Sequence, residues 1–141
     1  MENTNEMILI FDSRPVNEGL ARVAAASFCT PLNPTMEEVA DIKTAVSEAV
    51  SNCIIHAYEG TIHKITMHCK RVEQELYIDI KDEGIGIFDV KKAMEPLYTT
   101  KPEKERSGMG FTFMEAFMDE LYVESCVGEG TTVHMKKIIR R

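Results

Sequence analysis

Three polar residues recur at four-residue intervals in the stretch SEAVSNCIIHAY, which covers residues 47–58. In an α-helix, which turns about 100° per residue, Glu48, Asn52 and His56 would spread over about 80° of one flank. The adjoining flank carries small and apolar residues, so these polar side chains would lie at the edge of a hydrophobic core. The pattern predicts either a solvated pair of Glu48 and Asn52 or part of a polar site.

Two glycine-bearing stretches could let the backbone approach a ligand closely. DEGIGI, at residues 82–87, follows the strand-like LYIDIK. Asp82 would end that strand at a cleft and could accept a hydrogen bond from an exocyclic amine, although two glycines also suit an ordinary turn. RSGMG, at residues 106–110, would open a helix whose free N–H groups and positive dipole end suit a phosphate. An ordinary glycine-rich helix cap is the alternative for this second stretch.

The elements that position these residues follow from periodicity. Alternating apolar residues predict five strands, at residues 7–11, 64–70, 75–81, 121–127 and 131–139. Helical spacing predicts three main helices, at residues 16–28, from a capping box at Thr35 and Glu38 to about residue 58, and at residues 110–120. In the first helix, the apolar face consists of Leu20, Val23, Ala24 and Phe28, and Arg22 is exposed.

This order predicts an α+β fold, a two-layer α/β sandwich with three main helices on a mainly antiparallel sheet of four or five strands. A Rossmann domain is excluded because regular β-α-β alternation and its glycine fingerprint are missing, and so is the P-loop pattern. The long polar stretch between residues 82 and 110 is typical of a functional or mobile loop, and residues 88–107 are expected to form a lid.

Composition limits the class of protein. The 141 residues, 44% hydrophobic and 28% charged, suit one domain spanning residues 1–141. A formal net charge of −7 argues against a grip on nucleic acid.

The cysteine spacing and the length of the apolar runs indicate the cellular compartment of the protein. The cysteines never approach a CxxC spacing, so Cys29, Cys53, Cys69 and Cys126 are expected to be buried reduced thiols. With no basic leader and no apolar run of about 18 residues, the chain is predicted to be cytoplasmic and to have no membrane contact.

Four stretches together resemble the boxes of the GHKL ATPase and kinase superfamily. SEAVSNCIIHAY is similar to the N box, DEGIGI to the first glycine box, RSGMGFTFMEAFMD to the second glycine box, and GTTVHM to the closing strand. Their order and spacing match as well. Within the superfamily the chain most resembles the sporulation anti-sigma factors that are serine kinases, over nearly its whole length. The resemblance implies the Bergerat type of sandwich.

The resemblance also implies ATP and Mg²⁺ as cofactors and gives individual residues a role. Asn52 would coordinate the Mg²⁺ that bridges the phosphates, and Glu48 would orient or deprotonate the attacking hydroxyl. Asp82 would read adenine, and Arg106, at the end of the lid, would stabilise charge on the γ-phosphoryl group. The other residues expected to contact the nucleotide are Gly84, Gly86, Thr99, Thr100, Lys101, Ser107, Gly108, Met109, Gly110 and Thr132.

Alternatives remain open for several of these residues. A solvated loop is the alternative for Thr99, Thr100 and Lys101, and strand packing is the alternative for Thr132. His56 flanks the site but is given no role, because a structural histidine accounts equally well for its position.

The implied partners are a sporulation sigma factor, which the protein would bind and inhibit, and an anti-anti-sigma protein, which it would phosphorylate on serine and inactivate. The resemblance also implies a homodimer and locates Arg22 on the surface that binds these partners. A nucleotide-gated sigma-binding module without kinase activity is the first alternative, but it would not need Glu48. The catalytic half of a histidine kinase is the second, but we expect no upstream helical hairpin with a phosphoacceptor histidine.

Overall fold

The computed structural model of the chain describes residues 4–95 and 110–140. These residues form the strands β1 (Thr4–Asp12), β2 (Lys64–Val72), β3 (Glu75–Asp82), β4 (Glu120–Cys126) and β5 (Gly130–Ile138). They also form the helices α1 (Asn17–Cys29), α2 (Met36–Asn52), α3 (Val90–Ala93) and α4 (Gly110–Phe117). A 3₁₀ turn (Thr30–Leu32) follows α1, and a π-helical turn (Cys53–Ala57) follows α2. None of these helices is long and apolar enough to cross a lipid bilayer.

The strands form one sheet in the order β1-β2-β3-β5-β4, and every neighbouring pair is antiparallel. Alternate residues point toward the helices, because successive side chains of a strand point to opposite faces. Ile65 and Met67 in β2 and Ile78 and Ile80 in β3 are fully buried on this face. The predicted α+β sandwich, with helices layered on an antiparallel sheet, is confirmed.

Helix α1 buries only part of the predicted apolar face, since Phe28 is buried and Ala24 packs against the core. Ala21 and Ala25 are fully buried, whereas Leu20 and Val23 are 50% and 56% exposed. The prediction that Leu20 and Val23 face the core is therefore wrong. Alanines let α1 pack closely against α2, its main neighbour, and Leu20 and Val23 then remain outside.

Helix α2 begins as predicted but ends differently. The Thr35 hydroxyl accepts a hydrogen bond from the Glu38 N–H at 3.0 Å, and the Glu38 carboxylate accepts one from the Thr35 N–H at 2.8 Å. At the other end, the α-helix stops at Asn52 and widens into the π-helical turn, in which the Tyr58 N–H donates to the Cys53 carbonyl at 2.9 Å. The wider turn changes the direction of the side chains that follow Asn52.

The four cysteines are free thiols, but they do not share one environment. Cys29, Cys53 and Cys69 are buried, as expected for small apolar residues. Cys126, the last residue of β4, is exposed. The prediction of burial is therefore wrong for Cys126, because this strand ends at the rim of the sheet.

Candidate functional site

A cavity of about 470 Å³ lies between the sheet and the facing ends of α2 and α4. Residues from all four of the notable sequence stretches line it, including Asn52, His56, Asp82, Gly86 and Gly110. The rest of its lining is largely apolar, which is usual for sites that hold a small organic molecule. The fold therefore brings segments that are far apart in sequence to one cavity.

Asp82 ends β3 at the sheet side of the cavity and is only 4% exposed. Its Oδ1 accepts hydrogen bonds from the backbone N–H groups of Gly84, at 2.9 Å, and Thr131, at 3.2 Å. Burial raises the pKa of Asp82, while the hydrogen bonds from Gly84, from the Cys53 thiol and from Thr131 act in the opposite direction. A carboxylate has about four acceptor positions, so capacity remains for an amine donor in the cavity.

Glu48 and Asn52 converge beside Gly110, the first residue of α4. A Cβ atom on Gly110 would lie 3.4 Å from Glu48 Oε1 and 3.5 Å from both Asn52 Oδ1 and Asn52 Nδ2. Asn52 Nδ2 is buried and has no hydrogen-bond partner among residues 4–95 and 110–140. A buried N–H donor without a partner costs free energy, so an acceptor oxygen at this position would be stabilising.

The chemistry of Asn52 fits a Mg²⁺ ligand only if most other ligands come from elsewhere. Within the described ranges, no group of three or more His, Cys, Asp or Glu residues could hold a metal ion. Mg²⁺ in proteins is often held by one or two side-chain oxygens, with phosphate oxygens and waters completing the shell. The amide oxygen of Asn52 suits this arrangement next to a bound phosphate.

The glycines of DEGIGI are required by contacts with other backbone segments. A Cβ atom on Gly84 would lie 2.4 Å from the Ala57 carbonyl oxygen, and one on Gly86 would lie 2.3 Å from the Cys126 carbonyl oxygen. Gly86 also has a positive φ of 79°. Gly86 lines the cavity, whereas Gly84 lines a neighbouring open groove.

The threonine that lines the cavity is Thr131, and not Thr132, which was the residue predicted to contact the nucleotide. Thr131 is buried, lines the cavity and lies opposite Asp82 in the sheet. Because side chains alternate along a strand, Thr132 points to the opposite, open face. The sequence carried a usable signal, since the apolar Val133 and Met135 alternate in phase with Thr131.

Sequence reasoning also missed Tyr58, which follows the π-helical turn. Its buried hydroxyl donates a hydrogen bond to the Lys64 carbonyl at 2.6 Å and accepts one from the Glu83 N–H at 2.7 Å. Tyr58 thus holds the start of the DEGIGI loop against β2. An aromatic residue directly after the helix was the available signal.

Part of the predicted site lies outside the described residues. The lid expected at residues 88–107 is described only over residues 88–95, which include α3 and the cavity-lining Phe88 and Lys92. The remaining predicted contacts outside the described ranges are Thr99, Thr100, Lys101, Arg106, Ser107, Gly108 and Met109.

Arg22 lies on α1, away from the cavity lining. Its side chain is 42% exposed, and its guanidinium lies 3.9 Å from Glu18 Oε1. The other Glu18 oxygen accepts a hydrogen bond from the Ser51 hydroxyl at 2.6 Å. Ser51 precedes Asn52 in α2, so this hydrogen bond joins the exposed side of α1 to the helix that carries Asn52.

Comparisons with known proteins match the chain to a family model and to named relatives. Residues 11–137 match the family model described as the histidine kinase-like ATPase domain. The chain is 57% identical to the anti-sigma F factor of Caldanaerobacter subterraneus subsp. tengcongensis, covering 100% of this chain and 99% of that protein. It is 56% identical to the anti-sigma F factor of Thermoanaerobacter sp. strain X514, covering 99% and 97%.

A solved structure shares the fold at low sequence identity. It contains the RsbU and RsbW domains of Rv1364c from Mycobacterium tuberculosis, with a TM-score of 0.66 and 16% identity. The match covers 97% of this chain and 32% of that longer chain.

Proposed function

Because the chain belongs to the anti-sigma F factor family of histidine kinase-like ATPase domains, we propose that it is an ATP-dependent anti-sigma factor and a serine kinase. In this proposal it binds and inhibits a sporulation sigma factor. It also transfers the γ-phosphoryl group of ATP to a serine of an anti-anti-sigma protein, which inactivates that antagonist.

The observation that carries the proposal is that the two ends of one cavity differ in chemistry. Asp82 offers a buried carboxyl acceptor at the sheet end, which suits the amino group of adenine. At the other end, Asn52 and Gly110 line the cavity, and Glu48 Oε1 lies beside Gly110 at the beginning of α4 without lining the cavity itself. The N-terminal N–H groups of a helix attract phosphate, so a nucleotide would lie with its base at Asp82 and its phosphates near Glu48.

The chemistry requires a positioned hydroxyl and a place for its proton. The serine oxygen of the acceptor forms a bond to the γ-phosphorus, the bond from that phosphorus to the β-bridging oxygen breaks, and ADP leaves. The Glu48 carboxylate accepts the hydroxyl proton. Asn52 supplies one oxygen ligand for Mg²⁺, which neutralises phosphate charge when it is bound.

The remaining proposed contacts surround the phosphates. In this proposal Arg106 stabilises charge on the γ-phosphoryl group, and Ser107, Gly108 and Met109 line the phosphate turn with Gly110. Thr99, Thr100 and Lys101 close the lid over the nucleotide.

The proposal also covers the oligomeric state and the cellular location of the protein. We propose a homodimer, which sedimentation velocity over a range of concentrations would test, and a cytoplasmic location, where a sigma factor acts. The edge strand β1 has apolar surface available on its outer face, at Ile8 and Ile10.

We also propose that the bound nucleotide selects the partner. ATP occupancy favours the sigma complex and ADP favours the antagonist, which requires unequal partner affinities for the two nucleotide states.

The deciding experiment measures transfer of labelled γ-phosphate from Mg-ATP to the cognate anti-anti-sigma protein. We expect Glu48→Gln to lower the transfer rate by about 10²- to 10⁴-fold, the usual contribution of a general base, with ATP binding retained. Glu37→Gln is the matched control, because Glu37 is an exposed carboxylate in the first turn of the same helix.

The outcomes separate the candidate functions. Acid-stable label on serine that Glu48→Gln abolishes would support the kinase. ATP binding by the parent chain without transfer would contradict kinase activity and leave a nucleotide-gated sigma-binding module. Acid-labile label on histidine would contradict the serine kinase.

A further inference from the structure

We propose that Ser125 is a positioning residue that fixes the hydrogen-bond direction of the Thr131 hydroxyl, so that the cavity selects a base with an amino group. The inference rests on the proposed function, since it assumes that the cavity binds ATP. It concerns recognition of the base, which the phosphate end of the site does not control. Ser125 acts through Thr131 and does not line the cavity itself.

Ser125 lies in β4 at the point where three segments of the chain meet. Its Oγ accepts a hydrogen bond from the backbone N–H of Ile87, at 2.7 Å, and donates one to the Gly130 carbonyl, at 3.1 Å. Ser125 and Thr131 lie directly opposite each other in the sheet, and their hydroxyl oxygens are 2.7 Å apart. One hydroxyl group therefore joins the end of the DEGIGI loop to both strands of the last hairpin.

A hydroxyl group has one proton, which fixes the direction of the contact between Ser125 and Thr131. The Ser125 proton is used for the Gly130 carbonyl, so the Thr131 hydroxyl is the donor in the 2.7 Å contact. With its proton committed to Ser125, the Thr131 oxygen can only accept further hydrogen bonds. Thr131 is 7% exposed and lines the cavity with Asp82, its partner in the register of β3 and β5. The sheet end of the cavity therefore offers acceptors from two residues.

Two acceptors favour a base that donates. The 6-amino group of adenine has two N–H donors, whereas the 6-oxo group of hypoxanthine only accepts and would meet acceptors on both residues. Removal of the Ser125 hydroxyl would release the Thr131 proton, which could then donate to a 6-oxo group. The ratio of ATP affinity to ITP affinity therefore reports the direction of the Thr131 hydroxyl, whereas a looser loop would weaken both nucleotides alike.

The experiment measures the Kd of Mg-ATP and Mg-ITP by calorimetry for the parent chain and its variants. We expect the preference for ATP to fall about three- to tenfold in Ser125→Ala, the effect of one hydrogen bond. Ser125→Thr keeps the hydroxyl group and should keep most of the preference. Thr131→Val, which removes the acceptor, should lower the preference by itself, and Ser125→Ala should lower it no further in that background.

Ser13→Ala is the matched control. Ser13 is a buried serine whose hydroxyl also donates to a backbone carbonyl, that of Thr61 at 3.0 Å, and accepts from a backbone N–H, that of His63 at 3.0 Å. Ser13 does not line the cavity, so loss of these two hydrogen bonds should leave the ratio of the nucleotide affinities unchanged. Circular dichroism of each variant checks that the fold is retained.

Each other outcome overturns the proposal in a distinguishable way. Equal weakening of ATP and ITP in Ser125→Ala would mean that Ser125 only anchors the loop. An ATP preference that Thr131→Val does not lower, or that Ser125→Ala lowers further in that background, would mean that Ser125 does not act through Thr131. In these cases a parent chain that prefers ATP leaves the proposed function intact, whereas a parent chain that binds neither nucleotide would overturn both proposals.

Discussion

At the scale of single residues, Gly86 and Gly128 have nearly the same backbone conformation in different surroundings. Their φ angles are 79° and 83°. A Cβ atom on Gly86 would lie 2.3 Å from the Cys126 carbonyl oxygen, whereas one on Gly128 would have no atom within 4 Å. We expect Gly128→Ala to cost about 1–2 kcal/mol, for the left-handed backbone alone. Gly86→Ala should cost at least about 1–3 kcal/mol more, because backbone segments must separate.

Urea unfolding of the two variants measures this difference. Each substitution adds the same methyl group at a positive φ, so Gly128→Ala is the control for conformational strain. Equal losses of unfolding free energy would contradict the importance of the close contact between DEGIGI and the end of β4. Since Gly86 also lines the cavity, Gly86→Ala should weaken nucleotide binding more than Gly128→Ala does.

The sequence predicts cavity residues whose chemistry is unusual for their position. Asp82 at a strand end and Asn52 beside an apolar flank were predicted in this way, and both line the cavity. Thr131 was missed by one position, because two consecutive threonines give no chemical reason to choose between the faces. Only the alternation of the whole strand resolves that choice, and a one-residue shift exchanges the two faces.

At the scale of elements, strands were easier to predict than helix packing. Alternation reflects burial on one face directly, so all five strands were found with small errors at their ends. The π-helical turn was not predicted, because the residues Cys53–Ala57 also suit an α-helix. The buried face of α1 was predicted only in part, because the helical period of the larger apolar residues left out the alanines that pack against α2. Close packing of two helices instead selected Ala21 and Ala25 over Leu20 and Val23.

The open face of the sheet makes stability depend on pH through His134 in β5. Its Nδ1 lies 2.8 Å from Asp79 in β3, and its Nε2 lies 2.7 Å from Glu124 in β4. Ionised carboxylates only accept, so both contacts require the doubly protonated ring. Partial burial acts to lower the pKa of His134, but hydrogen bonds and charges from Glu124 and Asp79 raise it above the ordinary 6.5.

The direction of the pH effect follows from this raised pKa. The stabilising contribution of His134 is fully present below pH 6.5, its unfolded value, and is lost as pH rises through the higher folded pKa. We expect the free energy of unfolding to fall by about 0.5–1 kcal/mol over this range, since the pairs are partly exposed. His134→Gln should remove this dependence.

Urea unfolding between pH 6 and pH 9 measures the effect, with His63→Gln as the control. His63 is exposed and contacts the Tyr58 ring. A pH dependence that survives in His134→Gln would contradict the role of the Asp79 and Glu124 contacts. Loss of the pH dependence in His63→Gln would also contradict the role of those contacts.

At the scale of the whole molecule, the outer surface of α1 and the cavity are separate but connected. Leu20 and Val23 are exposed on α1, Val16 is exposed directly before it, and Arg22 lies on a neighbouring flank of the helix. Exposed apolar residues next to an arginine are typical of a protein-binding surface. Glu18 joins this surface to Ser51, the neighbour of Asn52 in α2. A partner on α1 would therefore bind close to the cavity without occupying it.

Arg22→Glu tests whether this surface serves recognition alone. We expect binding of the sigma factor and of the anti-anti-sigma protein to weaken at least about tenfold, because an arginine at the centre of an interface often contributes strongly. ATP affinity should stay within about twofold of the parent value, because Arg22 does not line the cavity.

The control is Lys81→Glu, which makes the same charge change at an exposed position on β3, in the other layer. It should leave partner binding and ATP binding unchanged. Titration calorimetry with each partner, with ATP and with ADP, measures all of these affinities. Unchanged binding of both partners by Arg22→Glu would remove α1 from the recognition surface, and a parallel loss of ATP affinity would assign Arg22 to the nucleotide site instead.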